Sequence, residues 1–218
     1  MKKVSLILSA VVITAMVLSS CGEGASNEES ASNEVTIGSQ VWMTKNLDVS
    51  TFRNGDPIPE AKTSGEWEAY DDAEEAAWCY YDNDPRNGGK YGKLYNWYAV
   101  NDPRGLAPEG WHVPSDEEWT QLTDYLGGFE KAGAKMKSKN GWSNDGNGTN
   151  SSGFSGLPGG NRDGYGTFDT IGYDGYWWSS TEYAPSSAWN RNLNYSNGNV
   201  YRPNYNKDFG FSVRCLRD

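Results

Sequence analysis

Asparagine and tyrosine crowd one short stretch of the chain. Residues 190–206 contain seven asparagines (Asn190, Asn192, Asn194, Asn197, Asn199, Asn204, Asn206) and three tyrosines (Tyr195, Tyr201, Tyr205). Buried amides need hydrogen-bond partners, so an ordinary core does not have this composition. The chemistry it supports is binding: amides both donate and accept, and phenol rings supply rigid amphipathic contact area. The stretch lies between a tryptophan-rich segment and the apolar alternation Phe209, Phe211, Val213, Cys215, so structure frames it on both sides. All ten residues are candidate ligand-binding groups.

Catalysis finds less support, and the chain reads as a non-enzyme. His112 is the one histidine. It sits between Trp111 and Val113, just before a capped helix, where a structural role is expected. No nucleophile-elbow sequence accompanies it. The carboxylate pairs Asp71-Asp72, Glu74-Glu75 and Glu117-Glu118 fall on predicted helix surfaces, whereas glycoside hydrolysis needs two acids facing one cleft. Zinc lacks its usual complement of Cys and His. No cofactor is implied. Calcium is the one ion left open, because Asp82-Asn83-Asp84 and Asp145-Gly146-Asn147 put hard oxygens on loops. Turn chemistry alone favours the same residues.

The elements that must position these groups follow from periodicity and turn signals. Val35–Met43 predicts two strands joined at Gly38-Ser39. Thr63–Ala77 predicts a helix, with Thr63 and Glu66 at capping-box spacing. A strand over Trp78–Tyr81, a polar loop over Asp82–Gly89 and a helix over Tyr91–Val100 follow, the helix with Tyr91, Tyr95 and Tyr98 on one face. Ser115 and Glu118 form a second capping box, and Asp116 and Glu117 lie where the helix dipole favours acids. Trp119, Leu122 and Leu126 make that helix's apolar stripe, and Gly127-Gly128 stops it. Residues 141–175 predict a long ordered loop pinned by Trp142, Phe154, Leu157 and Phe168. Tyr176–Ser180 and Ala188–Tyr195 predict strands. In the second, Asn190, Asn192 and Asn194 share one face, with Trp189, Arg191, Leu193 and Tyr195 on the other. Asn197-Gly198 predicts a hairpin turn returning through Val200–Arg202, and Phe209–Leu216 a final strand. The whole is an α+β domain.

The N-terminus reads as a processing segment. Lys2 and Lys3 precede an apolar run, Val4–Leu18, too short for a comfortable membrane span. Leu18-Ser19-Ser20-Cys21 resembles the lipobox of bacterial lipoproteins. That resemblance implies cleavage after residue 20, acylation of Cys21, and a cell-envelope location, at the outer membrane or cell surface, with lipid as the only membrane contact. Residues 21–34, in which Ala-Ser-Asn-Glu occurs twice, cannot bury surface and read as a flexible tether.

Residues 35–218 remain, enough for one domain, with ten tryptophans and fourteen tyrosines to build its core. The formal charge of −10 becomes −12 once residues 1–20, which carry two lysines and no acid, are removed. Such acidity excludes nucleic acid as a partner. An exported domain meets an oxidising compartment, so a disulfide between Cys79 and Cys215 and a pair of buried thiols are both open.

Several motifs, in order, carry a resemblance. Val41-Trp42-Met43 with Asn46-Leu47, Trp78-Cys79-Tyr80-Tyr81, Tyr91-Gly92-Lys93-Leu94-Tyr95-Asn96-Trp97 and Gly110-Trp111-His112-Val113-Pro114-Ser115 look like the Fibrobacter succinogenes major paralogous domain. So do Gly153-Phe154, Leu157-Pro158-Gly159-Gly160, Tyr176-Trp177-Trp178-Ser179-Ser180-Thr181 and Gly210-Phe211-Ser212-Val213-Arg214-Cys215. That family resembles the C-type-lectin fold of formylglycine-generating-enzyme-like proteins. This implies a small twisted antiparallel sheet, two flanking helices (Tyr91–Val100 and Ser115–Leu126) and long ordered loops. A formylglycine-generating type of oxidase is the enzymatic alternative, but its cysteine pair finds no match here. Residues 177–218 are similar to the variable region of diversity-generating retroelement targets. This implies that the ten Asn and Tyr residues vary upon a fixed framework of Trp189, Leu193, Gly198, Val200 and Phe209. The expected function is an externally displayed binding lipoprotein with an unknown protein or glycan ligand. The alternative is a polysaccharide-binding adhesin or other carbohydrate-associated protein without catalysis.

Overall fold

A computed structural model describes Met1 and residues 33–218. The leader, Cys21 and most of the tether lie outside the described residues. The tether's predicted end is corrected: Glu34 already pairs with Met43, so the fold starts there. No helix among the described residues is long and apolar enough to cross a membrane.

The chain opens with the predicted hairpin, β1 (Glu34–Ile37) and β2 (Gln40–Met43). Helix α1 (Ser64–Asp72) carries the Thr63–Glu66 capping box. It ends five residues before Ala77, because Glu74 takes a left-handed φ of 53°. Strand β3 (Trp78–Cys79) follows and stops short of Tyr81. The expected polar loop over 82–89 is instead largely helix α2 (Pro85–Tyr91), started by an Asp84 cap and a proline in its first turn.

The expected helix over Tyr91–Val100 does not form. Gly92 breaks it at φ 74°, where a side chain would meet the Leu47 carbonyl at 2.7 Å. The chain then extends into β4 (Leu94–Tyr95), paired with β3. A single turn, α3 (Trp97–Val100), restarts after Asn96, whose Oδ1 accepts from Ala77 N and Ala99 N. The aromatic spacing was real, but it reports burial rather than helical phase: Tyr91, Tyr95 and Trp97 are all buried.

Strand β5 (Trp111–His112) leads into α4 (Asp116–Tyr125), with the Ser115–Glu118 box and buried Trp119 and Leu122 as predicted. An unpredicted helix, α5 (Phe129–Met136), follows the Gly127-Gly128 stop. Residues 137–173 are mostly irregular, with β6 (Asn161–Arg162) and β7 (Phe168–Asp169) as one small hairpin. The long strands β8 (Asp174–Ala184) and β9 (Ser187–Asn194) then pair, and β10 (Asn204–Asn206) adds to the free edge of β9. Strand β11 (Leu216–Arg217) lies between β2 and β5.

The described residues therefore form an α+β domain with five helices and four small antiparallel sheets, the largest in the order β1-β2-β11-β5. This is more divided than the expected single sheet with two helices. Residues 210–215, expected as a regular strand, form a spine that bonds to one sheet after another. Phe211 exchanges backbone bonds with Tyr95, Ser212 accepts from Trp178, Val213 from Leu47 and Cys215 from Met43.

Indole rings fill the core. Trp42 and Trp119 touch at 4.7 Å between centroids, and Phe154 meets both, and Trp177, edge-on. Asn46 ties this core together: its Oδ1 accepts from Trp177 Nε1 (2.8 Å) and the buried Arg214 (2.7 Å). A buried polar hub of this kind is tolerated because every member has a partner.

Candidate functional site

The Asn/Tyr run does not form one outward face. The structure divides it into an inner strand, a loop at the hairpin tip, and an edge strand.

The inner asparagines are structural. Asn190 is 0% exposed and donates to the Pro203 carbonyl. Asn192 is also buried and directs its Nδ2 at Asp174 Oδ1 (3.2 Å). Asn194 reaches the same carboxylate oxygen at 2.8 Å. Asp174 is itself buried on β8, opposite Asn194 in register. The alternation Asn192–Asn194 thus supplies amide donors to a buried acid, which side chains of period two on one strand face can do. The expectation that Asn190 and Asn192 face outward is corrected.

The opposite strand face is equally committed. Arg191 is buried and pairs with Asp116 at the first turn of α4 (Nη1 to Oδ1, 2.6 Å). Arg202 grips the same carboxylate (Nη2 to Oδ2, 2.6 Å) and lies over Trp189 at 3.6 Å. Burial alone would raise the Asp116 pKa; its two arginine partners hold it below the usual carboxylate value.

The tip is built from residues 194–201. Its backbone is held by Lys137, which is buried and has no carboxylate partner among the described residues. Lys137 Nζ donates to the Asn197 carbonyl at 2.8 Å, the Asn194 carbonyl at 3.1 Å and the Tyr195 carbonyl at 3.4 Å. Burial pushes its pKa down. Helix α5 supports the tip from below. A side chain at Gly133 would meet the Asn199 carbonyl at 2.5 Å, so only glycine permits this approach. The predicted Asn197-Gly198 turn is present as a wider loop, with an isolated Asn192–Tyr201 bridge where a return strand was expected. Asn197 Nδ2 donates to the Tyr201 hydroxyl at 3.0 Å, and Asn199 Nδ2 does so at 3.4 Å. Tyr195 packs edge-on against Tyr173. These side chains are half-buried.

The edge strand is the most open part. Asn204 and Asn206 are exposed, and Tyr205 is half-buried among Tyr176, Phe209 and Phe211.

Other sequence candidates are placed elsewhere. Cys79 and Cys215 are free buried thiols in different apolar clusters, so the disulfide alternative is not what forms. Burial pushes both up to about 12. His112 bridges two acids, Asp218 (Nδ1, 2.8 Å) and the capping Glu118 (Nε2, 2.9 Å). Burial alone would lower its pKa, but the two partners outweigh that and raise it. Asp84 caps α2 and pairs with Arg86, and Asn147 Oδ1 accepts from Trp142 N. Both calcium candidates thus have oxygens engaged in local structure, and no group of three or more metal-ligating side chains exists among the described residues.

Sequence reasoning missed Lys137, Asp174 and helix α5. Lys137 carried one signal: a lysine between the end of an apolar helix and Trp142, over whose ring it lies at 5.1 Å.

These features define an α+β domain with an aromatic core and a C-terminal hairpin propped on a lysine and a helix. Residues 35–217 match the Fibrobacter succinogenes major domain, and the chain belongs to that family. No curated protein matches it.

Proposed function

We propose that this is a lipid-anchored binding protein of the bacterial cell envelope that engages a partner through the hairpin tip and its edge strand. The contact residues are Asn194, Tyr195, Asn197, Asn199 and Tyr201 on the tip, with Asn204, Tyr205 and Asn206 along the edge. The observation that carries this reading is the propped tip: three backbone carbonyls on one buried ammonium fix a loop whose side chains are amides and phenols. A loop held in place loses little entropy on binding, so its contacts convert to affinity with less loss. β10 also offers an unpaired edge on which an extended segment can add.

A C-type-lectin-like arrangement, acylation at Cys21 and diversification by a retroelement belong to the same proposal. Diversification would act on the tip and edge and spare Asn190 and Asn192, whose amides serve the fold. Labelling with a palmitate analogue, lost in Cys21→Ser, tests the anchor. A near-identical repeat of the codons for residues 177–218 beside a reverse transcriptase gene tests the diversification; its absence sinks that part. The binding site is tested by alanine at Tyr195, Asn199 and Tyr201 against a cell and protein array. Unchanged binding with folding intact rejects the placement.

A further inference from the structure

A cleft of about 270 Å³ opens beside the edge strand, away from the tip. Tyr176, Tyr205 and Phe209 line it, with the buried Phe211 beneath. Tyr176 and Phe211 are stacked at 4.8 Å, and Tyr205 stands across both nearly at right angles. Two carboxylates share this lining, Asp163 and Asp169. Each spends one oxygen on a backbone N–H, of Thr167 and Thr170 respectively. Neither forms an ion pair among the described residues, and no lysine or arginine lines the cleft.

Asn161 adds a hydrogen-bond donor to this lining. It is 7% exposed and lines the same cleft. Its Oδ1 accepts from the Thr170 hydroxyl at 3.0 Å, while its Nδ2 has no partner among the described residues. Most of the Asn161 side chain is packed away, so this amide is a fixed donor left free for an acceptor in the cleft.

These groups together select a ligand class. The carboxylates accept and repel anions, so the ligand is not acidic. An organic cation would suit the carboxylates and the rings, but its ammonium group offers Asn161 Nδ2 no acceptor. A neutral sugar meets every requirement. Its hydroxyls donate to Asp163 and Asp169 and accept from Asn161. Its C–H face, polarised positive by the ring oxygens, suits the electron-rich face of an aromatic ring. The volume lies at the small end for ligand sites, enough for one ring rather than a chain. We propose that this cleft binds a single neutral pyranose unit of a saccharide.

The test is calorimetric titration of the full chain with neutral oligosaccharides of glucose, xylose, mannose and galactose. Choline and a glucuronate oligosaccharide serve as cationic and anionic probes. At least one neutral oligosaccharide binds, and the two charged probes do not. Asp163→Asn and Asp169→Asn keep the oxygen that holds the backbone, and each weakens binding about tenfold or more by losing a charge-assisted hydrogen bond. Asp169 is exposed, so its variant leaves the fold intact and keeps the test usable. A tip variant, Asn197→Ala with Tyr201→Phe, leaves sugar binding unchanged, which separates this cleft from the proposed tip site. The inference is overturned by silence across the neutral panel, by full affinity in both aspartate variants, or by choline binding that depends on the same aspartates.

Discussion

Replacing Lys137 with methionine isolates what the buried ammonium does for the tip. Methionine fills a similar volume with no donor. The change strips the Asn197 and Asn194 carbonyls of bonds at 2.8 and 3.1 Å, and a weaker one at 3.4 Å from Tyr195. A hydrogen bond to a charged group is worth roughly 1.5–3 kcal/mol. Two good ones therefore set a gross loss of about 3–6 kcal/mol. Part of this is returned, because the ammonium is costly to bury, as its lowered pKa indicates, and a thioether is not. A net destabilisation of about 2 kcal/mol is expected, which for a domain of this size lowers Tm by about 4–8 °C. Differential scanning calorimetry measures that shift. Hydrogen exchange localises it: amides of residues 195–201 lose protection first, while those of β2 and α4 keep theirs. A Tm change under about 1 °C with unaltered exchange at the tip would refute the view that Lys137 holds the loop.

Four further outcomes follow from particular contacts. Asn190→Ala unsettles the Pro203 segment and costs about 1–2 kcal/mol in chemical denaturation, whereas Asn206→Ala, exposed, stays within about 0.5 kcal/mol. Asn46→Leu removes the acceptor of Trp177 Nε1 and of Arg214 Nε and Nη2, leaving the buried guanidinium only the Met43 and Phe154 carbonyls, and costs about 3–5 kcal/mol or prevents folding, read by soluble yield and urea midpoint. His112, raised above its unfolded pKa, contributes its full stabilisation below about pH 6.5 and loses it as pH climbs through the folded value. Glu118, lowered by Ser115 and His112 against the effect of burial, loses its contribution as pH falls below about 4.5. Stability measured against pH therefore declines on both sides. The alkaline decline is removed in His112→Phe and stays under about 1 kcal/mol, since Asp218 is exposed and Glu118 is only half-buried. Finally, Cys79 and Cys215 resist a thiol reagent in the native domain and react together on unfolding.

Local signals in the sequence carried furthest where one residue decides the outcome. The Thr63 and Ser115 capping boxes, the Gly38-Ser39 hairpin and the Gly127-Gly128 stop all form. The failures share a cause. Tyr91, Tyr95 and Tyr98 were spaced as a helix, but tertiary contacts of Gly92 and Asn96 overrode the period. The Asn alternation on β9 was read correctly as one strand face but not as a buried one. Nothing in the sequence says that Asp174, some twenty residues earlier, waits opposite for those amides. Lys137 and Asn161 were illegible for the same reason, since their partners are distant carbonyls and a cleft. A polar run was visible; which of its members serve the fold was a question of partners, and only the packed chain answers it.

In the proposed function the tip, rather than the inner strand, meets the partner. This is tested most directly by measuring binding of the full chain to a cell and protein array for Tyr195→Ala, Asn199→Ala and Tyr201→Ala combined, beside the wild type, at matched Tm. The expected outcome is loss of a specific array signal in the tip variant. Retention of that signal at wild-type strength, with the variant folded, would contradict it.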